Sequence, residues 1–497
     1  MEVEQGVAAG LARTLHNTLL IHNLSGRSCY RNSLNDNEGL HIAVLSSSLA
    51  MVLRCSKVTL ASHVHKFQAE LILSLQRITE IFLSWVGDAT IQQIVLSNTA
   101  KIVGYILPHV RCAAEKLVGI LTEILKGNVS ADIRIDAASA IARFFEDPEC
   151  PVLPEVLTKL EENASLLISI LSTASIAPLE DGLEDAMIGL YKLAQVARVI
   201  RTKMVKRRCT ILAVTRYLSS ADAMKRDHAL RFCQNVFSDS ECLDSLSSGL
   251  SDNARMLTDG LIQSALNEHE PKLRKIALCL LGKVVSTENF PFMAALDTLR
   301  TVSYKGDYDD IVIESATAYC KGVQSLPFSV HDMATVVDFT TFPYARVRSE
   351  ALETLNIKTT SDDPKFALLL LTETDLLENF GLIIKHGSIE DCLATMDIVR
   401  QLARSAAYHH ALCLHSGFLG AVVDLVAREK ILHRGAHYFG IETLLALLSN
   451  QSNIKAFLSF RPLLPWLVSF VNTTTADDDF KKEVVTAIIR LSQAMLE

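Results

Sequence analysis

The chain has 497 residues, is 49% hydrophobic and 6% aromatic, and carries a formal net charge of −8. That apolar content excludes a disordered or low-complexity chain. The acidic balance argues against nucleic acid as the main ligand, because phosphate recognition needs a basic surface. With only two Trp, the core is expected to be aliphatic.

A chain this long suggests about three globular domains, but a repeat array escapes that rule because each unit packs only on its neighbours. The eleven Cys include no CxxC pair. Cys233, Cys279 and Cys320 sit in apolar helical stretches and are expected as reduced, buried thiols. The opening MEVEQG lacks the basic region of a signal peptide. The longest apolar stretches, near 40–53 and 417–427, fall short of the ~20 residues a membrane span needs. The expected compartment is the cytosol or the nucleus, with no membrane insertion.

Residues 5–22 read as a helix, and the polar, turn-rich stretch 23–39 reads as a loop. From about residue 40 onward the apolar residues recur at helical spacing, with almost no strand alternation. The clearest unit is EPKLRKIALCLLGKVV, residues 270–285. Pro271 suits a first helical turn, where its missing N–H is not needed. Leu273, Ile276, Ala277, Leu280, Leu281 and Val284 then make one apolar stripe. A stripe that wide needs a neighbouring helix of the same kind.

The neighbours are copies. A small residue with an apolar partner four positions later, often preceded by a basic residue three positions earlier, recurs at Ala137, Ala186, Ala229, Ala277, Ala316 and Ala351. Weaker copies centre on Cys392, Gly440 and Val484. Arg134, Arg226, Arg274 and Arg348 hold the basic place. The mean period is roughly 43 residues, within the range of two- or three-helix solenoid repeats. Second apolar helices follow, as at 154–172, 290–304 and 417–428. Earlier copies are placed at Ala69 and Ala100 with shorter spacing. That spacing divides the chain into an N-terminal helical cap, 1–130, and a repeat array, 131–497.

Residues 443–471, TLLALLSNQSNIKAFLSFRPLLPWLVSFV, and 398–427, IVRQLARSAAYHHALCLHSGFLGAVVDLVA, resemble armadillo repeats. Residues 272–284 are similar to the related HEAT repeats. The resemblance implies an all-α fold, a right-handed α-solenoid of about ten units. It also implies an extended concave surface that binds other macromolecules.

Motifs of enzymes are missing. The sequence has no GxSxG, GxxxxGK[ST] or HExxH, and no GxGxxG after a strand. Asp309 and Asp310 begin like an aspartate-rich magnesium motif, but position 313 is Ile. The acidic runs at 307–310 and 477–479 read as helix N-terminal charge. His409, His410, Cys413 and His415 lack zinc-knuckle spacing, as do His433 and His437, and read as turn and surface residues. No cofactor, metal or catalytic residue is expected.

The binding candidates are cationic. In peptide-gripping armadillo proteins an Asn six residues past the small residue lines the groove. The matching places here are Arg143, Lys192, Asn235, Lys283, Gly322, Ile357, Ile398, Ala446 and Arg490. This row predicts a groove that is basic or amide over its first four places and small or apolar over the next four. The run RVIRTKMVKRR adds Arg201, Lys206, Arg207 and Arg208. The expected function is a non-catalytic scaffold or adaptor for a protein partner, one with an acidic segment. A nuclear-transport or regulatory-subunit solenoid is the alternative. An all-helical enzyme with an unrecognised site is the alternative from another class.

Overall fold

A computed structural model describes residues 2–24, 36–55, 60–110, 113–143, 154–176, 183–249, 251–285, 287, 292–306, 308–325, 330–360, 364–427, 434–473 and 478–496. The protein is all-helical, with 89% helix and no strand among the described residues. Helices form where the sequence places them: Glu2–Leu24, Pro154–Ile176, Pro271–Val285, Phe292–Lys305 and Ser416–Ala427. The acidic starts also hold. One helix begins at Asp309, with Asp309 and Asp310 in its first turn against the positive helix end, and another begins at Asp478. The central part of the expected loop, 25–35, lies outside the described residues, and helix resumes at Asp36 rather than 40.

By contact density the chain divides into residues 1–280 and 281–497. In residues 1–280, five helices stack in one row, each on the next: Asp36–Cys55, Ala89–Ile106, Ala131–Arg143, Leu183–Val196 and Ala223–Phe237. A second row, Leu60–Leu83, Ala114–Lys126, Pro154–Ile176, Arg208–Leu218 and Ser251–Asn267, covers the first. Residues 281–497 repeat the scheme. Asp309–Ser325, Ala345–Thr359, Ile389–Ala403, Arg434–Leu448 and Asp478–Leu496 form the first row. Val330–Phe339, Leu376–His386, Ser416–Ala427 and Leu463–Thr473 form the second. Short third helices, such as Arg198–Val205, Ser240–Gly249, Pro364–Glu373 and Ala406–Leu414, complete some units and not others. Helices that stack only on near neighbours in two rows are consistent with an α-solenoid.

The small-residue markers from Ala137 onward lie on first-row helices or on Pro271–Val285. Ala137, Ala186, Ala229, Ala277, Ala316, Ala351 and Val484 have no exposed surface. Small residues let two backbones approach closely, which is why each copy sits at a helix contact. The basic residue three positions earlier has a structural task. Arg226 donates to the carbonyls of Ser220 and Ala221 and pairs with Glu268 at 2.5 and 2.8 Å. Arg348 donates to the carbonyls of Phe342 and Pro343 and pairs with Asp391 at 2.8 Å. Each guanidinium closes the turn before its own helix and reaches an acid 42 or 43 residues ahead. The repeat period therefore appears directly in the hydrogen bonds. Asn235 to Tyr191, Asn379 to Val337, Arg400 to Glu442 and Arg490 to Leu448 span 44, 42, 42 and 42 residues.

Three placements differ from the sequence reading. Cys392 is only half-buried. The buried set Asp391, Thr395, Met396, Ile398, Val399 and Leu402 matches Val347, Ala351, Leu352, Thr354 and Leu355 with Thr395 in the place of Ala351. The register there slips by three, because Thr is small enough to serve and Cys392 drew the alignment. Ala69 is exposed on a second-row helix and is not a copy. The pattern on Ala89–Ile106 centres on Val95, 42 residues before Ala137, rather than on Ala100. The shorter spacing is thus corrected, while the division at residue 130 stays a sequence-based expectation.

Cys233 and Cys320 are buried, and burial raises both thiols far above their usual range. Cys279 is exposed, against expectation, because it falls on the outer side of its helix. A maleimide reagent will label Cys279 in the native protein, whereas Cys233 and Cys320 will resist until denaturant is added. Mass spectrometry of the labelled peptides checks the order, and early labelling of Cys233 would contradict it.

Candidate partner-binding face

The six-past positions fall toward the C-terminal ends of their helices. Lys192 is half-buried, with its ammonium 5.4 Å from the centre of the Tyr191 ring. Tyr191 in turn stacks on His228, at 5.4 Å between centroids and 13° between planes. Asn235 donates to the Tyr191 carbonyl at 3.2 Å. Arg201 donates to the Asn235 carbonyl at 3.2 Å and pairs with Asp239 at 3.4 Å. The structure thus brings Lys192, Asn235 and Arg201 into one network across the ends of Leu183–Val196 and Ala223–Phe237. The Asn235 amide holds the neighbouring helix of its own chain.

The basic run divides in two. Arg198 pairs with Asp239 and Glu241, and Lys203 donates to the Glu161 carbonyl. Lys206 and Arg207 occupy the turn between Arg198–Val205 and Arg208–Leu218, and Arg208 opens the second of these helices. Their side chains make no ion pair among the described residues, and Lys206 and Arg208 are exposed. Lys283 is exposed on its helix. The side chain of Arg143 lies outside the described residues.

The apolar half of the row is not a groove. Ile398 is 1% exposed and belongs to the core. Gly322 is buried, and a Cβ there would lie 2.5 Å from Cγ1 of Val285. Of the four places only Ile357 is well exposed, at 44%. The register slip at Thr395 explains Ile398: the true six-past residue is Gln401, which bonds Asn356 and Asp397.

A cavity of about 730 Å³ opens instead between Ile389–Ala403, Arg434–Leu448 and Asp478–Leu496. Its lining includes Arg400, Arg404, Glu442, Ala446, Lys482, Glu483 and Arg490. Arg400 is held by Asp397 at 2.6 Å and Glu442 at 3.3 Å, with its guanidinium 4.3 Å from the Phe439 ring centre. Arg490 donates to the Leu448 carbonyl at 3.0 Å. Arg404 is exposed. The charged lining is Arg400, Arg404, Lys482 and Arg490 against Glu442 and Glu483, so it is net positive. Arg490 and Ala446 were on the six-past row. Arg404 and Lys482 were missed, since their convergence depends on three helices 42 or more residues apart.

Two of the histidines bond to backbone carbonyls, while His410 and His415 are exposed. His409 is buried and its Nε2 lies 2.7 Å from the Ala403 carbonyl. The corresponding nitrogen of His437 lies 3.0 Å from the Val426 carbonyl. His409 corrects the expectation of a surface residue, and His433 lies outside the described residues. Among the described residues, no three His, Cys, Asp or Glu converge as a metal site would require. No single described helix is long and apolar enough to cross a membrane.

A scan against protein-family models finds no match, and a search of curated proteins finds none either. The crystal structure of an engineered protein is similar at 15% identity and a TM-score of 0.47, covering 84% of this chain and 98% of that one. The class defined by this chain's own packing is an all-helical, stacked-helix protein.

Proposed function

We propose that the chain is a non-catalytic interaction scaffold, a right-handed solenoid of about ten armadillo- or HEAT-like units acting in the cytosol or nucleus. It holds an extended acidic segment of a protein partner against its first-row helices. The cavity framed by Arg404, Lys482 and Arg490 supports this reading. It is open, polar and net positive on a chain whose total charge is −8. A groove of that kind attracts carboxylates by local field rather than by overall charge.

The test uses a fluorescein-labelled peptide of alternating Asp and Glu and its neutral Asn/Gln counterpart. The acidic peptide should bind with an affinity that falls as salt rises. Arg404→Glu with Lys482→Glu should weaken it about tenfold, from two lost and two newly repulsive contacts of several tenths of a kcal/mol each. Neither side chain supports the core, so the thermal midpoint should hold. Equal binding of the neutral peptide, or unchanged binding by the double variant, would remove the proposal.

A further inference from the structure

Residues 281–497 carry a second exposed surface of opposite chemistry. It lies where the C-terminal end of Phe292–Lys305 meets the turn between Val330–Phe339 and Ala345–Thr359. Phe339 is fully buried and forms its floor. Tyr304 and Phe342 rest on it, with centroids 5.7 and 5.1 Å from the Phe339 ring. Tyr304 meets Phe342 edge-on at 6.3 Å, and Phe342 continues to Tyr344 at 6.1 Å. Tyr304 is 49% exposed and Tyr308 beside it 54%. The result is an aromatic ledge on which Tyr304 is the open ring and Phe342 and Tyr344 are half-buried, an apolar patch at the surface of the kind that marks interaction sites.

The ledge is framed in negative charge. The Tyr304 hydroxyl donates to Asp338 at 3.0 Å, and the Tyr344 hydroxyl donates to Asp309 at 2.5 Å. Asp309, Asp310 and Asp338 stand beside the rings; the nearby Arg346 and Arg348 are engaged by Glu314 and Asp391. Asp310 is exposed and has no ion pair among the described residues. A phenol that donates to a carboxylate also becomes more electron-rich at its ring face, which strengthens its attraction for a cation.

We propose that this ledge docks an arginine-bearing segment of a protein partner. A guanidinium can lie flat on an aromatic face while its N–H fork meets a carboxylate, and an ammonium cannot do both. The inference is independent of the acid-binding cavity, whose residues lie elsewhere on residues 281–497.

Fluorescence anisotropy with labelled hexa-arginine and hexa-lysine, on the full chain at matched ionic strength, tests it. The two probes carry equal charge, so general attraction to an acidic protein cancels in their ratio. Hexa-arginine should bind about fivefold more tightly, the preference one aromatic stack supplies. Tyr304→Leu with Tyr344→Leu should erase the preference, Tyr304→Phe should keep most of it, and Asp310→Asn should weaken both probes alike. Equal binding of the two probes by the unaltered protein would overturn the proposal without any variant. So would an arginine preference that survives the double leucine change.

Discussion

Glu268→Ala will destabilise the protein by about 3–5 kcal/mol, because it strands the largely buried guanidinium of Arg226 without its acid. The Glu268 side chain has no exposed surface and that of Arg226 only 15%. Two hydrogen bonds from the guanidinium satisfy the carboxylate, and the Glu270 N–H adds a third at 3.0 Å. Burial pushes the Glu268 carboxyl up, but Arg226 and the backbone N–H groups more than reverse it, so it ends below the ordinary carboxylate range. A depressed carboxyl stabilises the fold fully above its unfolded value, about 4.3, and loses that contribution as pH falls through the lower folded value. Differential scanning calorimetry should show a lowered unfolding transition for Glu268→Ala at pH 7. Glu268→Gln should also flatten the loss of stability below pH 4. A midpoint unchanged at pH 7 would mean that the pair does not lock the units together.

Gly282→Leu will cost about 1–3 kcal/mol or more by forcing helices apart. A Cβ at this position would lie 2.8 Å from Cβ of Ala318 and 3.3 Å from its Cα. Ala318 has no longer side chain to move aside, so the backbone itself must shift. Ala277→Leu, one turn earlier, replaces a residue with no exposed surface and should show a similar loss. Gly10→Ala is the control. Nothing lies within 4 Å of its added Cβ, and its position inside Glu2–Leu24 favours a better helix former. It should raise stability by about 0.5–1 kcal/mol. Chemical denaturation followed by circular dichroism at 222 nm separates the three, and a destabilised Gly10→Ala would contradict the steric account.

The helices were legible because each carries its own apolar stripe and its own end signals. Pro271, Pro154 and Asp309 each stand at a helix start. The small-residue markers were legible because close backbone approach admits few side chains. What could not be read was anything fixed by a partner some 40 residues away. Arg226 and Arg348 were noticed as a pattern, but their acids, Glu268 and Asp391, lie in other units at places the pattern did not mark. Ile398 looked like a groove residue because a register taken from Cys392 was off by three, close to one helical turn. Arg201 looked like a free cation because its tie to Asp239 and to the Asn235 carbonyl forms only when two helices meet. The cationic cavity has the same origin: Arg404, Lys482 and Arg490 form no motif along the chain.

The ties between successive units also govern how the protein yields to tension. Arg226–Glu268 and Arg348–Asp391 each join one unit to the next. Force applied along a stack is therefore carried through these links in series. When one gives way, the roughly 42 residues between its partners are freed while the rest keep their contacts. Each such event releases on the order of 140 Å of extended chain. A stack built this way lengthens in discrete steps and can recover them singly.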